Sequence, residues 1–472
     1  MKMIKLEKQN EPRFDELSQM LSGLKDFLAE EADFNDKDWS ENLNAIIDFQ
    51  DEDGSFKLFD SFNIPSDARV DFCYMPTYLA TATLMKAYLT DPESFTIKEI
   101  SALSSGLKMS TARNLRGHGY EGLKGQIEAL NIFMKAGLNE FLDLHADICP
   151  EFSEMIEKII SGFEDMESQG KFTGSWGESY EDDIRAINQY FRQRKVFVYG
   201  TLMKGETNHG FLRHSTFIGN AAVEGYEMYN VGLFPAIIPG DGLAVGEVYS
   251  VPVGDIPSID SLEGEGSLYE KKCERIILNG EATFAFLYVY LSDCSDLERI
   301  PAWKDYVWYV SYGSNMLYES FLRYIVGGSY GTSAYRAPCK DMSLPVAVRT
   351  VEIPFDMYFG NLSSWGGGVS FLDTTRKGKA LGVAYLITPE QFEHVSCEEN
   401  GGRCPGNGGW YEDIIDLEPI YGIEVKTITN NDLRPYNEPS HSYLDTLFKG
   451  IRENWPEMSE NDIWNYLGNC MR

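Results

Sequence analysis

The chain has 472 residues, of which 43% are hydrophobic and 13% aromatic, so it is too long for one hydrophobic core and apolar enough for several folded domains. Its 73 acidic residues outnumber its 41 Lys and Arg residues, which gives a net charge of −32. Nucleic acids and anionic membranes bind to basic patches, so this charge balance argues against both as partners.

The N-terminus has no apolar run typical of a signal peptide, and no stretch approaches the roughly 20 apolar residues of a membrane span. The 8 cysteines include no Cys-x-x-Cys pair and the 6 histidines are scattered, so no metal site is predicted. A Gly-rich phosphate loop with Lys and Ser/Thr is also absent from the sequence. We therefore predict a cofactor-free cytoplasmic protein with reduced thiols.

Residues 1–192 are predicted to form a helical domain. Apolar residues recur at helical spacing in Phe14–Leu28, Trp39–Phe49 and Pro76–Leu89. Between the last two stretches lies a Gln…Gly-x-aromatic turn, Gln50–Phe56 (QDEDGSF), with a second, irregular copy at Gln169–Trp176. This pattern resembles the repeats of the squalene-cyclase and prenyltransferase α/α-toroid family. The catalytic Asp-x-Asp-Asp and the zinc ligands of those enzymes are absent, so we expect a scaffold or a module that binds a protein or peptide partner.

Residues 193–303 have the pattern of strands. Val196–Tyr199 is β-branched and aromatic with no charge, and it runs directly into Gly200, where the chain can turn sharply. A short acidic helix is predicted at Asp255–Leu262, and turns at 239–242 (PGDG) and 279–280. Many strands with few helices predict a small α+β barrel-like domain. The further strands are expected at 225–229, 232–238, 243–250, 273–278 and 283–290.

Residues 304–472 repeat this plan in a more divergent form. A strand and a turn lie at Tyr306–Met316 (YVWYVSYGSNM), and an acidic segment, CEEN, lies at Cys397–Asn400 and is followed by a tyrosine at Tyr411. Two aromatic-Gly-hydroxyl turns, each after a hydrophobic strand, predict two related domains in tandem. Short helices at 442–452 and 462–467 are expected to pack on the second of them.

Four motifs occur in the same order as in the γ-glutamyl cyclotransferase-like family, and residues 193–303 resemble that family along their whole length. The motifs are FVYGTLMKG, FPA, GEVY and LEG followed by a tyrosine, at 197–205, 234–236, 246–249 and 262–269. The second domain resembles the family more distantly. The resemblance implies cyclisation of a γ-glutamyl compound: its α-amine attacks its own side-chain amide carbonyl, which gives 5-oxoproline and a free amine.

The resemblance implies that one carboxylate per site moves a proton from the α-ammonium to the leaving amine. Glu263 is the candidate in the first domain, with Glu265 as the alternative. Glu399 is the candidate in the second, with Glu398 as the alternative. Burial beside apolar or tyrosine side chains would raise the pKa of such a carboxyl group towards neutrality.

The turns that follow the first strand of each domain are expected to bind the substrate. A strand that ends in a small-residue turn directs successive backbone N–H groups into one concavity, which suits a carboxylate or a phosphate. Tyr269 either closes the first pocket or belongs to the core. The expected substrate-binding residues are Tyr199, Gly200, Thr201, Leu202 and Tyr269 in the first domain, and Tyr312, Gly313, Ser314 and Asn315 in the second.

We therefore predict a γ-glutamyl cyclotransferase that acts on a γ-glutamyl amine or a γ-glutamyl amino acid. The alternative is a ligand-binding or scaffold protein without enzymatic activity, built from the same domains. A third hypothesis is hydrolysis or amide transfer in the same pocket, which glutamate instead of 5-oxoproline as product would reveal. The second domain is either a second active site or one that only binds or packs.

Overall fold

The computed structural model describes residues 43–44, 46–56, 74–113, 122–174, 177–329 and 335–471. Within the chain there are two compact units, Met1–Arg194 and Lys195–Arg472. The predicted apolar stripe Phe14–Leu28 lies outside the described residues, and so does Trp176 in the second copy of the Gln…Gly-x-aromatic turn. Among the described residues, no helix combines the length and the apolar composition needed to cross a bilayer.

The first unit is helical in the part of the chain that is described. Its core contains aromatic side chains from three helices: the Tyr78 and Phe133 rings lie 6.0 Å apart, and the Phe133 and Phe152 rings 5.1 Å apart. All three side chains are fully buried. The helices are α1 (Tyr74–Thr90), α2 (Ile97–Arg113), α3 (Gly122–Lys135), α4 (Leu138–His145), α5 (Pro150–Gln169) and α6 (Glu181–Phe191).

The turn that begins at Gln50 ties two of these helices together. The Gln50 side-chain amide donates to the carbonyl of Gly54 at 3.2 Å and to that of Ala102, in α2, at 2.8 Å. The backbone N–H of the buried Phe56 donates to the Thr77 hydroxyl, in α1, at 3.1 Å. Gly54 has a φ of +87°, and a Cβ there would lie 2.4 Å from the carbonyl oxygen of Ser105, so only glycine fits.

The second unit begins with a closed sheet. The strands follow the order β3-β1-β5-β4-β2-β6, and β2 also pairs with β3, so the sheet curls into a small barrel. The first strand is parallel to β5, while β2–β3 and β4–β5 are antiparallel hairpins. The elements are β1 (Gln193–Val198), β2 (Thr216–Asn230), β3 (Pro235–Pro252), α7 (Ile256–Glu263), β4 (Tyr269–Leu278), β5 (Glu281–Tyr290) and β6 (Glu298–Ile300).

One part of the strand prediction is wrong. Residues 239–242 (PGDG) do not separate two strands, because β3 continues through them from Pro235 to Pro252. The pairing with β2 shifts there: Glu224 faces Leu243 but Tyr226 faces Pro239, so residues 240–242 form a bulge. A long partner strand on the other side of the hairpin keeps the ladder intact across a segment whose composition favours a turn.

The remainder of the second unit repeats this order of elements. Its sheet has the order β10-β11-β7-β9-β8, which corresponds to β4-β5-β1-β3-β2 of the first sheet. Within the described residues no pairing of β8 with β10 closes this sheet, which differs from the predicted second barrel. The elements are β7 (Val307–Ser311), α8 (Tyr318–Val326), β8 (Ala347–Gly360), β9 (Val369–Ile387), α9 (Pro389–Glu399), β10 (Asp413–Ile420), β11 (Ile423–Thr429), α10 (His441–Asn454) and α11 (Glu460–Cys470).

Both C-terminal helices pack on the second sheet. Ser440 caps α10 and Ser459 caps α11, each accepting a backbone N–H with its side-chain oxygen. Tyr443 and Leu447 of α10 and Leu467 of α11 are buried in the same apolar core as Trp308 of β7. The tail therefore belongs to the second domain and supplies side chains to its interior.

The expectation that all thiols are reduced is wrong for one pair, because Cys397 and Cys404 form a disulfide bond. A backbone hydrogen bond of 2.9 Å from Gly402 to the carbonyl of Cys397 folds the glycine-rich loop back on the end of α9. This turn brings together two cysteines whose spacing matches no common motif. The free cysteines among the described residues are Cys149, Cys273, Cys294, Cys339 and Cys470.

Candidate active site

The first domain holds a cavity of about 350 Å³ at the end of β1. The predicted residues Tyr199, Gly200, Thr201, Leu202, Glu263 and Tyr269 all line it. The sequence analysis did not identify the other wall residues as site residues; their place depends on how the loops fold over the sheet. The remaining lining residues are Phe197, Val198, Thr207, Asn208, Leu233, Phe234, Pro235, Leu262, Leu268 and Tyr288.

Glu263 reaches the cavity because α7 ends at it. The next residue, Gly264, has a left-handed φ of 63° and returns its N–H to the carbonyl of Asp260, which stops the helix. The chain then bends away through Glu265, which is exposed and does not line the cavity. Of the two acids left open by the sequence, the geometry brings only Glu263 to the glycine turn.

The environment of Glu263 alters its acidity. The side chain is half-buried, and it carries the only ionisable carboxyl or amino group among the described residues that line the cavity. Burial disfavours the charged form and raises the pKa of this carboxyl group to about 7. A group that titrates near neutrality can both accept and return a proton at physiological pH.

The turn after β1 is held by its carbonyl groups. The N–H of Met203 donates to Gly200 and the N–H of Asn208 donates to Thr201, both at 2.9 Å. The carbonyl of Leu202 lies 2.9 Å from Nδ1 of His209. None of these bonds uses the backbone N–H of Gly200, Thr201 or Leu202, three successive donors at the cavity wall.

Two buried tyrosines fix the walls through main-chain hydrogen bonds. The hydroxyl of Tyr199 donates to the carbonyl of Tyr288 on β5 at 2.5 Å. The hydroxyl of Tyr269 donates to the carbonyl of Pro235, at the start of β3, at 2.9 Å. Burial holds the pKa of both hydroxyls well above the ordinary value, so they stay neutral donors. Tyr269 is thus both a lining residue and a structural one.

The second domain gathers its predicted residues around a much smaller space. Tyr312, Gly313, Ser314, Asn315 and Glu399 line a cavity of only about 30 Å³. Glu399 is the last residue of α9, as Glu263 is of α7, and its carboxylate accepts a hydrogen bond from the Asn315 side chain. Glu398 lies outside this lining and is paired with Arg336 at 3.1 Å.

The tyrosine bonds of the first site recur in the second. The hydroxyl of Tyr312 donates to the carbonyl of Ile428 on β11 at 2.7 Å, and that of Tyr411 to the carbonyl of Ser370 on β9 at 3.1 Å. Tyr411 therefore corresponds to Tyr269, as the order of an acid followed by a tyrosine in the sequence predicts. The glycine-rich loop between Glu399 and Tyr411 makes this spacing longer than that between Glu263 and Tyr269.

Tyr443, from α10, reaches into this second site. It is buried, its hydroxyl donates to the side-chain oxygen of Ser370 at 3.0 Å, and it accepts the Ser370 N–H at 3.1 Å. A Cβ on Gly313 would lie 3.1 Å from the phenol oxygen. The phenol thus takes up space beside the second glycine turn, whereas the described residues that line the first cavity include none from a C-terminal helix.

No cluster of three or more His, Cys, Asp or Glu side chains that could hold a metal ion occurs within the described ranges. The first cavity combines a small closed barrel, a glycine turn and one carboxyl group with a pKa of about 7.

Residues 196–308 match the family described as gamma-glutamyl cyclotransferase, AIG2-like. A Methanocaldococcus jannaschii protein with a provisional gamma-glutamylcyclotransferase name is 40% identical over 116 residues, which are 24% of this chain and 96% of that protein. YtfP of Escherichia coli K12, named as a gamma-glutamylcyclotransferase family protein, is 26% identical over 113 residues, again 24% of this chain and 96% of its own length. The crystal structure of YkqA from Bacillus subtilis aligns with 59% of this chain and 97% of that chain, at 20% identity and a TM-score of 0.24.

The chain belongs to the gamma-glutamyl cyclotransferase, AIG2-like family through its first barrel. The match covers about a quarter of the chain, so the helical unit and the second domain lie outside the part that defines membership.

Proposed function

We propose that the first barrel converts a γ-glutamyl amine or a γ-glutamyl amino acid into 5-oxoproline and a free amine. The observation that carries the proposal is that one carboxyl group with a pKa of about 7, Glu263, shares a cavity with the turn Tyr199–Leu202. The turn suits the α-carboxylate of a glutamyl group, and Glu263 suits its α-ammonium.

The reaction needs no group from outside the cavity. Glu263 takes a proton from the α-ammonium, and the amine nitrogen then attacks the side-chain carbonyl carbon to close a five-membered ring. The carbon–nitrogen bond to the leaving amine breaks as Glu263 gives the proton to that nitrogen, and Glu263 then passes the second proton released by the ring nitrogen to the amine, which departs as an ammonium ion. Holding the two reacting groups together supplies effective molarities of roughly 10⁵ M or more, and proton transfer adds on the order of 10²–10⁴ in rate.

The α-carboxylate is the natural partner of the glycine turn. The N–H groups of Gly200–Leu202 are not used by the bonds that hold the turn, and the Thr201 hydroxyl lies beside them. Successive backbone N–H groups at a turn form a fixed anion-binding concavity. This placement directs the α-amine and the side-chain carbonyl of the substrate towards Glu263.

The lining favours an uncharged or cationic leaving amine. A γ-glutamyl amino acid brings a second carboxylate, and no Lys, Arg or His side chain lines the cavity among the described residues. An unpaired carboxylate loses its hydration there without compensation. We therefore rank γ-glutamyl amines above γ-glutamyl amino acids as substrates.

The second domain is proposed to be a divergent copy of the same family. Its strand order, the acid at the end of α9 and the two tyrosine-to-carbonyl bonds support this interpretation. Because its cavity is about 30 Å³ against about 350 Å³, we assign turnover to the first domain and a binding or packing role to the second.

The helical unit is proposed to be a module of the α/α-toroid type that contacts a protein or peptide partner. The geometry of the Gln50 turn supports this, since its side chain joins the turn to α2. We propose a cytoplasmic location, supported by the five free cysteines among the described residues; the Cys397–Cys404 disulfide is the exception to the reduced thiols usual in that compartment.

The test is incubation of the full chain with γ-glutamyl amines, γ-glutamyl amino acids and glutathione, with 5-oxoproline measured by mass spectrometry. We expect 5-oxoproline from wild type and from Glu265→Gln, and at least a hundredfold less from Glu263→Gln. Glutamate as product would indicate hydrolysis. Binding of 5-oxoproline without any turnover would support the alternative of a non-enzymatic ligand-binding protein.

A further inference from the structure

The second glycine turn already has an occupant. The phenol oxygen of Tyr443 accepts the backbone N–H of Ser370 and interacts with that of Ser314, and it donates to the Ser370 side chain. One main-chain donor and one hydroxyl thus bond to this oxygen atom, and the backbone of Ser314 lies near it. This is the arrangement that a bound carboxylate oxygen requires.

The occupant comes from a separate element of the fold. Tyr443 lies in the first turn of α10, after the last strand of the sheet, and its ring packs against Trp365 at 5.4 Å and Phe359 at 6.3 Å. Its side chain is buried, and burial raises the pKa of its hydroxyl to about 12, so it stays neutral at physiological pH. The tail therefore fills the site with an uncharged group.

An acid lies on the other side of this site. Glu399 lines the same cavity, and the Asn315 side chain holds its carboxylate. A ligand whose carboxylate takes the place of the phenol oxygen would present its adjacent groups towards Glu399. An α-ammonium group is the complement of that carboxylate, whereas a second carboxylate would be repelled.

We propose that the second domain contains a binding site for a small α-amino carboxylate, and that Tyr443 closes this site as a tethered occupant. The carboxylate would bind at the N–H groups of Ser314 and Ser370, and the ammonium at Glu399. The proposal extends the binding role given to the second domain but does not depend on turnover in the first. It predicts a latent site that opens when the phenol leaves.

The experiment is hydrogen-exchange mass spectrometry of the full chain, with L-glutamate at millimolar concentration as the probe. Two segments, around Ser314 and around Ser370, report on the second site, and the segment 199–205 reports on the first site in the same sample. Tyr443→Ala removes the occupant. Tyr443→Phe is the matched control, since it keeps the ring in place and removes only the hydroxyl.

In Tyr443→Ala we expect both segments to exchange about tenfold faster than in wild type, the equivalent of one lost hydrogen bond, and glutamate to reverse most of this change. Wild type and Tyr443→Phe should show no effect of glutamate at either segment. Glutarate, which lacks the ammonium group, should protect much less than glutamate does.

A folded Tyr443→Ala that gains no protection from glutamate would overturn the proposal, and equal protection by glutarate would overturn the role of Glu399. If Tyr443→Ala does not fold, Tyr443→Leu carries the same test, since it keeps an apolar side chain and vacates the oxygen position. Failure of the first-site function appears separately, as the absence of ligand protection at 199–205.

Discussion

Glu263→Gln should raise the stability of the protein at high pH while it abolishes turnover. Burial raises the pKa of this carboxyl group from 4.5 to about 7. At about 1.36 kcal/mol per pKa unit the shift corresponds to about 3 kcal/mol, and partial exposure reduces the expected effect to about 2–3 kcal/mol. The glutamine variant has the same shape and no charge to desolvate.

The sign follows from the protonation states. Below about pH 4 the carboxyl group is protonated in the folded and the unfolded chain, so it changes the free energy of unfolding little. Between about pH 4.5 and 7 the unfolded chain releases its proton first, and stability falls as pH rises. Above about pH 8 the folded wild type carries the whole penalty and the glutamine variant does not.

The assay is urea unfolding of wild type, Glu263→Gln and Glu265→Gln at about pH 4.5 and pH 8. We expect Glu263→Gln to be more stable than wild type only at the higher pH, and the exposed Glu265→Gln to follow wild type at both. In parallel, kcat/KM should rise with pH through about 7, because the base must be deprotonated to accept the proton. A stability difference that is the same at both pH values would refute the desolvation argument, and full activity of Glu263→Gln would refute its role as the base.

Three further predictions concern the surroundings of the two sites. Lys304 donates to the buried carboxylate of Glu247 at 2.8 Å and to the carbonyl of Lys204 at 2.7 Å. Lys304→Met should therefore lower the free energy of unfolding, measured in urea, by about 3 kcal/mol. It should also raise KM, because Lys204 belongs to the loop that contains Thr207 of the cavity wall. Lys304→Arg keeps the positive charge and should lose much less stability than Lys304→Met. Equal losses of stability in the two variants would contradict the role of the charge. A Cβ on Gly246 would lie 2.2 Å from the carbonyl oxygen of Val198, so Gly246→Ala should destabilise the barrel strongly in urea unfolding. Gly254→Ala is the control: its Cβ would have no atom within 4 Å, so the free energy of unfolding should not change. Alkylation of the denatured chain without reductant should leave Cys397 and Cys404 unmodified, and labelling of both would show that the disulfide is absent.

The segments of the first candidate site were predicted from the sequence, the glycine turn from its local pattern and the role of the acid from the family resemblance. Each of these segments consists of consecutive residues: the strand before Gly200, the glycine turn, and the short helix with an acid at its end. Closing the barrel then brings these segments together in one cavity, with Glu263 facing the turn. The choice between Glu263 and Glu265 needed the helix to be seen, because only the last residue of α7 points to the cavity before Gly264 reverses the chain.

Features that depend on distant segments could not be obtained in this way. The PGDG segment has the composition of a turn, and only its pairing with β2 makes it a bulge within one strand. The Cys397–Cys404 bond depends on the glycine-rich loop folding back on the end of α9.

Tyr443 shows most clearly the difference between what the sequence predicts and what tertiary packing decides. In the sequence it is one apolar residue on the buried face of a C-terminal helix, as the helical period predicts. In the folded domain it lines the second cavity, of about 30 Å³, and its phenol oxygen lies beside Gly313, some 130 residues away along the chain. Sequence periodicity determines which face of a helix is buried, but only tertiary packing determines what that face meets.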